Sequence, residues 1–195
     1  DRINTAVGLS AGAAVTTGTL NTLIGGLAGD ALTTGDSNVA LGYNALSADT
    51  LGARSIAIGR DALAVQNFTS GTNTFNVAVG DRAGTAVTTG IQNTLIGGLA
   101  GDALNTGVEN VALGYASLTT DTKGKYSTAI GTFALAAQNF TSDTSTYNTG
   151  VGYGAGSAVS TGVQNTFVGG LSGDAITTAN ANTAVGYASL GATTT

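Results

Sequence analysis

Proline, cysteine, methionine, tryptophan and histidine are all absent from this 195-residue chain. Without cysteine there can be no disulfides and no thiolate metal sites. Without histidine the commonest general base and metal ligand is missing. Charge is scarce as well: 9% of residues are charged, six basic and eleven acidic, for a net charge of −5. The six cations are scattered and form no basic stripe, so no nucleic-acid partner is expected. Nor does any apolar run reach the roughly 18 residues of a membrane-spanning helix. These absences predict a protein that is not an enzyme, with no cofactor and no membrane span in this segment.

What fills the chain is glycine, 31 residues of it, within a composition that is 42% hydrophobic. A disordered chain would be charged and poor in aliphatics, so order is expected. Collagen is excluded because glycine does not fall at every third residue and proline is missing.

The glycines define a repeat. The pattern Asn/Ser–x–x–aliphatic–Gly recurs at Gly8, Gly25, Gly42, Gly59, Gly80, Gly97, Gly114, Gly131, Gly152, Gly169 and Gly186. Three steps of 17 residues and one of 21 make a 72-residue cassette, giving 4–75, 76–147 and a partial 148–195. The segment NTLIGGLAGDAL therefore returns unchanged 72 residues later, at 21–32 and 93–104. Coils tile the sequence and leave no separate domain or linker. The chain opens and closes inside a repeat, so it is expected to belong to a longer fibre.

Each unit begins with Asn, or with Ser at 55 and 127, followed by Thr, Val or Ile, and places Val, Ile or Leu before the glycine. This reads as a short β-branched strand ending at a corner, where glycine permits positive φ or close backbone approach. A second strand is expected through the eighth residue, which is always Ala or Ser, as at Ala11, Ala28 and Ala45. Helical solenoids are disfavoured, since glycine costs about 1 kcal/mol per helical position. The prediction is an all-β, parallel β-solenoid or β-roll of about eleven 17–21-residue coils, roughly 50 Å long at ~4.8 Å per coil.

One exchange supports the register. The ninth residue of a unit is Gly in the first two coils of a cassette and Leu in the next two, as in Gly12, Gly29, Leu46, Leu63. The twelfth does the reverse: Val15 and Leu32, then Asp49 and Gln66, down to Thr193 in the last coil. Both positions are expected to face one interior of near-constant volume. Alanine rows allow close approach of another chain, so a bundle of identical rolls is expected.

The strings NVALGYNAL (38–46), SIAIGRDAL (55–63) and NTAVGYASL (182–190) resemble the head repeats of trimeric autotransporter adhesins, and similar strings occur in phage tail fibres. The resemblance covers all eleven coils. It implies a left-handed roll, association of three chains side by side, and an extracellular location on a bacterial surface or a virion. It also implies attachment to a host-surface glycan or protein. The coils here, at 17 and 21 residues, are longer than that family's usual head repeat.

Several residues carry candidate chemistry. GGLAGDAL is similar to calcium-binding nonapeptides, but Asp30, Asp102 and Asp174 stand four coils apart, about 19 Å, and cannot share an ion within one chain. Structural turns are expected there and no metal. Asp36, Asp49, Asp61 and Asp81 have no histidine or positioned lysine beside them and are expected on a solvated surface. The 21-residue coils hold AVQNFTSGTNTF (64–75) and AAQNFTSDTSTY (136–147). Loops on rigid scaffolds commonly bind, which makes Phe68, Thr69, Phe75, Phe140, Thr141 and Tyr147 the candidate ligand-binding set. The same aromatics could instead plug a neighbouring coil or chain. Tyr43, Tyr115, Tyr153 and Tyr187 follow corner glycines and are expected outward, for sugar stacking or corner packing. Thr-Thr pairs, as at 16–17 and 88–89, leave an ice-binding surface as a further alternative, and a spacer filament without ligand is another.

Overall fold

A computed structural model describes residues 3–191. Among the described residues there is no helix, and eleven three-residue strands form one parallel sheet in which each strand pairs with those of the flanking coils. The chain is an all-β parallel solenoid. Register is exact from coil to coil: Thr22 faces Val39, Leu23 faces Ala40 and Ile24 faces Leu41. The same alignment holds across the 21-residue coil, where Ile56 faces Val77 and Ile58 faces Val79. The four additional residues are therefore looped out of the stack and leave the sheet undisturbed. They make their own small ladders, Gly52–Ala53 with Thr72–Asn73 and Gly124–Lys125 with Thr144–Ser145.

The corner glycines do two things. Their φ lies between +118° and +142°, a region open essentially to glycine alone. They also stack: a Cβ on Gly25 would sit 2.4 Å from the carbonyl oxygen of Gly42. A second glycine column runs through the Thr-Thr-Gly turns, where a Cβ on Gly35 would lie 2.2 Å from the oxygen of Gly52.

The expected second strand is absent. Around the eighth residue the chain turns, with its neighbours in the left-handed region: Leu27 and Gly29 have φ of 59° and 55°, and Asn44 and Leu46 have 58° and 53°. Coils still bond here through the backbone, Gly29 N–H to Ala45 O and Leu27 N–H to Leu9 O. Because left-handed residues redirect side chains, the eighth and ninth residues both point inward. Ala45 and Leu46 are fully buried, as are Ala62 and Leu63.

The core follows from that geometry. Strand centres point inward, and one coil per cassette carries a large one: Leu23, Leu95 or Phe167, each fully buried. These side chains occupy the space above the ninth-position glycines. A Cβ on Gly12 or Gly29 would come within 2.8 Å of Leu23, and one on Gly84 or Gly101 within 2.7 Å of Leu95. Where the ninth residue is Leu, the strand centre is small: Ala40, Ala57, Ala112, Ala129. The exchange thus involves three positions rather than two. Truncating Leu95→Ala should leave a void beneath two glycines and destabilise the chain by about 2–5 kcal/mol, read as a lower urea midpoint by far-UV circular dichroism. A change under about 1 kcal/mol would contradict this packing.

The twelfth position is interior in both coil types. Leu32 and Leu104 are buried, and so are the polar Asp49, Gln66, Asp121 and Gln138. The expectation that Asp49 is solvated is therefore corrected. Thr193, the twelfth residue of the last coil, lies outside the described residues.

Candidate functional site

A buried polar column runs beside the sheet. The first residue of each unit is the source: Asn21, Asn38, Asn93, Asn110 and Asn165 are 0–1% exposed. Each side chain bridges two coils. Asn21 Oδ1 accepts from Asn38 N–H at 2.9 Å while its Nδ2 donates to Gly35 O at 2.8 Å. Asn93 repeats this with Asn110 N–H at 3.0 Å and Gly107 O at 2.9 Å. Threonine hydroxyls form an outer counterpart. Thr16, Thr33 and Thr88 donate to carbonyls of the following coil, so one threonine of each of these three Thr-Thr pairs is engaged in stacking.

At every fourth coil the column changes composition. Ser55 takes the place of Asn and shares a 2.6 Å hydrogen bond with Thr74. Gln66 Nε2 donates to Asp49 Oδ2 at 2.6 Å and to Ser55 Oγ at 2.8 Å. Its Oε1 accepts from Asn76 Nδ2 at 2.8 Å, which rejoins the column. Asp49 Oδ1 also accepts from the backbone N–H groups of Gly52 and Phe68, at 3.0 and 3.1 Å. Its two carboxyl oxygens are thus both met by hydrogen-bond donors in a buried setting. Asp121, Gln138, Ser127, Thr146 and Asn148 repeat the arrangement one cassette later. Residues such as Thr74 and Thr146 escaped notice in the sequence, although their return at a 72-residue step was a signal that could have found them.

This network fixes both ends of the bulge. Asp49 holds Phe68 at its start, and Ser55 holds Thr74 at its end. Between them Thr69, Ser70, Gly71 and Asn73 are exposed, as are Thr141, Ser142, Asp143 and Ser145 in the second copy. Phe68 and Phe140 are each 7% exposed and lie against the rod. Phe75 and Tyr147 stand half exposed instead, at φ of 52° and 50°. Each has a partner one coil away: the Arg54 guanidinium lies 5.6 Å from the Phe75 ring centre, and Tyr126 stacks on Tyr147 at 5.2 Å. The candidate set is therefore split, with Thr69, Phe75, Thr141 and Tyr147 reaching solvent.

The two bulges differ in charge. Gly71 has open space around it, and the matching Asp143 pairs with Lys125 at 2.9 Å. The Lys125 hydrogen bond holds the Asp143 carboxyl below the usual range, with the charges of Lys125 and then Lys123 acting in the same direction. On another face Arg60 makes a two-pronged contact with Asp81, at 2.8 and 3.0 Å. That contact raises the Arg60 pKa above its ordinary value. Both pairs are exposed and add little stability. Asp61 also bonds Asn44 Nδ2, and Asp36 accepts from Thr19.

Among the described residues no group of three or more acidic side chains converges as a metal site, no pocket opens into the rod, and no helix is long and apolar enough to cross a membrane. Asp102 accepts from the Thr119 hydroxyl, seventeen residues on.

The outer face of the sheet presents a different surface. The last residue of every strand is aliphatic, from Val7, Ile24, Leu41 and Ile58 to Val151, Val168 and Val185. Exact register stacks these into one row along the rod. Val7, Leu41, Leu113, Val168 and Val185 are exposed and the others half-buried.

These features define a class: a parallel β-solenoid repeat protein with a polar column inside and an aliphatic row outside. No protein-family model, curated protein or solved structure matches the chain.

Proposed function

We propose that this chain is a segment of an extracellular fibre that associates with copies of itself, as a homotrimer, and attaches to a surface. The observation that carries this reading is the aliphatic row. Eleven Val, Ile and Leu side chains in one line make a continuous apolar patch of the kind that marks an interaction surface. A straight row repeating at about 4.8 Å is complementary to a second copy of itself. Interior packing that depends on neighbouring coils also suits a rod lengthened by duplicating cassettes.

Attachment rests on the exposed bulges and on the likeness of the repeats to adhesin heads and phage tail fibres. The target in this reading is a host-surface glycan or protein, and the location is a virion fibre or a bacterial surface. A spacer filament without ligand is the competing reading. Removing residues 76–147 separates the two, since a spacer shortens without losing attachment while a binder loses affinity.

Sedimentation equilibrium tests the association. The expected mass is three times the 18.8 kDa chain. A monomer at micromolar concentration would overturn the self-association reading.

A further inference from the structure

The geometry points to a binding site for an extended oligosaccharide on the aromatic strip formed by Tyr115, Phe133 and Tyr153. This rests on the reading of the rod as an attachment fibre and adds a location and a ligand class.

Three coils contribute to the strip. Tyr115 and Tyr153 follow the corner glycines of the seventh and ninth coils, and Phe133 lies between them in the eighth. Phe133 meets Tyr115 edge-to-face at 5.8 Å and Tyr153 at 6.2 Å. Tyr115 lies against the backbone at Gly98, where an added Cβ would come within 3.5 Å of the ring. The Cδ2–Cε2 edge of the ring is thus the part nearest that backbone. Tyr115, Phe133 and Tyr153 remain 52%, 38% and 59% exposed.

The repeat keeps tyrosine at 43, 115 and 187 but does not require Phe133 or Tyr153. One cassette earlier the same positions hold Tyr43, Asp61 and Asp81, with Arg60 in place of Thr132. There the surface is an ion-paired patch on the same backbone, with Asp61 at φ 56° and Phe133 at φ 59°. A bulky residue held in the left-handed region is strained, and partial exposure returns little for it. The same unit position also holds Leu27, Leu99 and Leu171, at φ of 59°, 59° and 55°, so the backbone admits bulky and polar residues alike and the aromatic at 133 is a feature of the surface.

The chemistry fits a sugar chain. Tyr115 and Tyr153 are two coil steps apart, about 10 Å along the axis, which is close to the repeat of alternate rings in an extended β-linked glycan. Pyranose rings offer apolar C–H faces that stack on aromatic planes. Thr132, between the two tyrosines, supplies a hydroxyl, and the phenolic groups supply two more. The strip runs along the rod, so the ligand is linear.

The protein's own first cassette provides the test. In the full chain, Thr132→Arg, Phe133→Asp and Tyr153→Asp would copy the patch of residues 60, 61 and 81, a set the fold already carries. In the reverse variant, Arg60→Thr, Asp61→Phe and Asp81→Tyr would build a second strip beside Tyr43. Cellohexaose and chitohexaose serve as probes. Binding is followed by tyrosine fluorescence, which no tryptophan obscures, and by calorimetry. The expected result is saturable binding of at least one probe by the unaltered chain, weakened about tenfold or more in the first variant and doubled in stoichiometry in the reverse variant. Absence of binding of either probe to the unaltered chain at millimolar concentration would overturn the inference. So would equal binding by the first variant, or a change in solution mass in place of sugar affinity, which would assign the strip to contacts between copies. The mass measurement reads the self-association proposal separately.

Discussion

Replacing Gly97 with alanine is expected to destabilise the rod by about 4 kcal/mol or more, while the same change at Gly186 should cost about 1–3 kcal/mol. Both residues are corner glycines, with φ of +130° and +118°. Alanine at either site must adopt a backbone conformation nearly closed to it. Only Gly97 adds a second penalty. Its Cβ would sit 2.5 Å from the carbonyl oxygen of Gly114 and 2.7 Å from the carbonyl carbon. Those are backbone atoms in a coil held by the whole stack, so no rotamer change relieves the overlap. Nothing lies within 4 Å of a Cβ on Gly186. The difference between the two urea midpoints therefore isolates coil stacking from conformational strain. Equal losses would show that the glycine column is selected for φ alone.

Asn93→Ala should destabilise by about 2–5 kcal/mol, through polar groups left without partners. Its side chain serves the Asn110 N–H and the Gly107 carbonyl, both in buried surroundings. Removing it orphans a donor and an acceptor in adjoining turns, and the cavity is too enclosed by the column for easy hydration. Asn182 offers the comparison. It is half-buried in the last coil and donates to Asn165 Oδ1 and Asn180 O. Asn182→Ala should cost about 1 kcal/mol or less, because Asn165 Oδ1 keeps the Asn182 N–H as a donor and Asn180 is open to solvent. Denaturant titration of the two variants measures both, and similar losses at 93 and 182 would refute a buried column that holds the coils together.

Much of this architecture was legible in the residues. Spacing of the glycines gave the coil number, the 17- and 21-residue lengths and the strand before each corner, because a Cβ is forbidden where coils stack. The exchange between the ninth and twelfth residues correctly placed both in the interior. The column-forming asparagines were visible as the unit's first letter, but their role was not. An exposed turn cap and a buried inter-coil bridge use the same residue type, and only the neighbouring coil's N–H and carbonyl distinguish them.

The sequence by itself determined a stack of about eleven parallel β-coils with glycine corners. That followed from sterics, which are local and repeat with the chain. Tertiary structure alone decided three other matters. The eighth residue lies in a turn rather than a strand, since left-handed neighbours such as Leu27 and Leu46 are held there by packing against propensity. Asp49 is buried rather than solvated, since donors from Gln66, Gly52 and Phe68 converge on it from residues up to 19 positions away. The bulge aromatics divide, with Phe68 and Phe140 inward and Phe75 and Tyr147 outward, since Asp49 and Asp121, which bond the Phe68 and Phe140 N–H groups, sit in the preceding coil. In each case the deciding contact crosses from one coil to the next, and a one-dimensional reading carries the period of such contacts without their geometry.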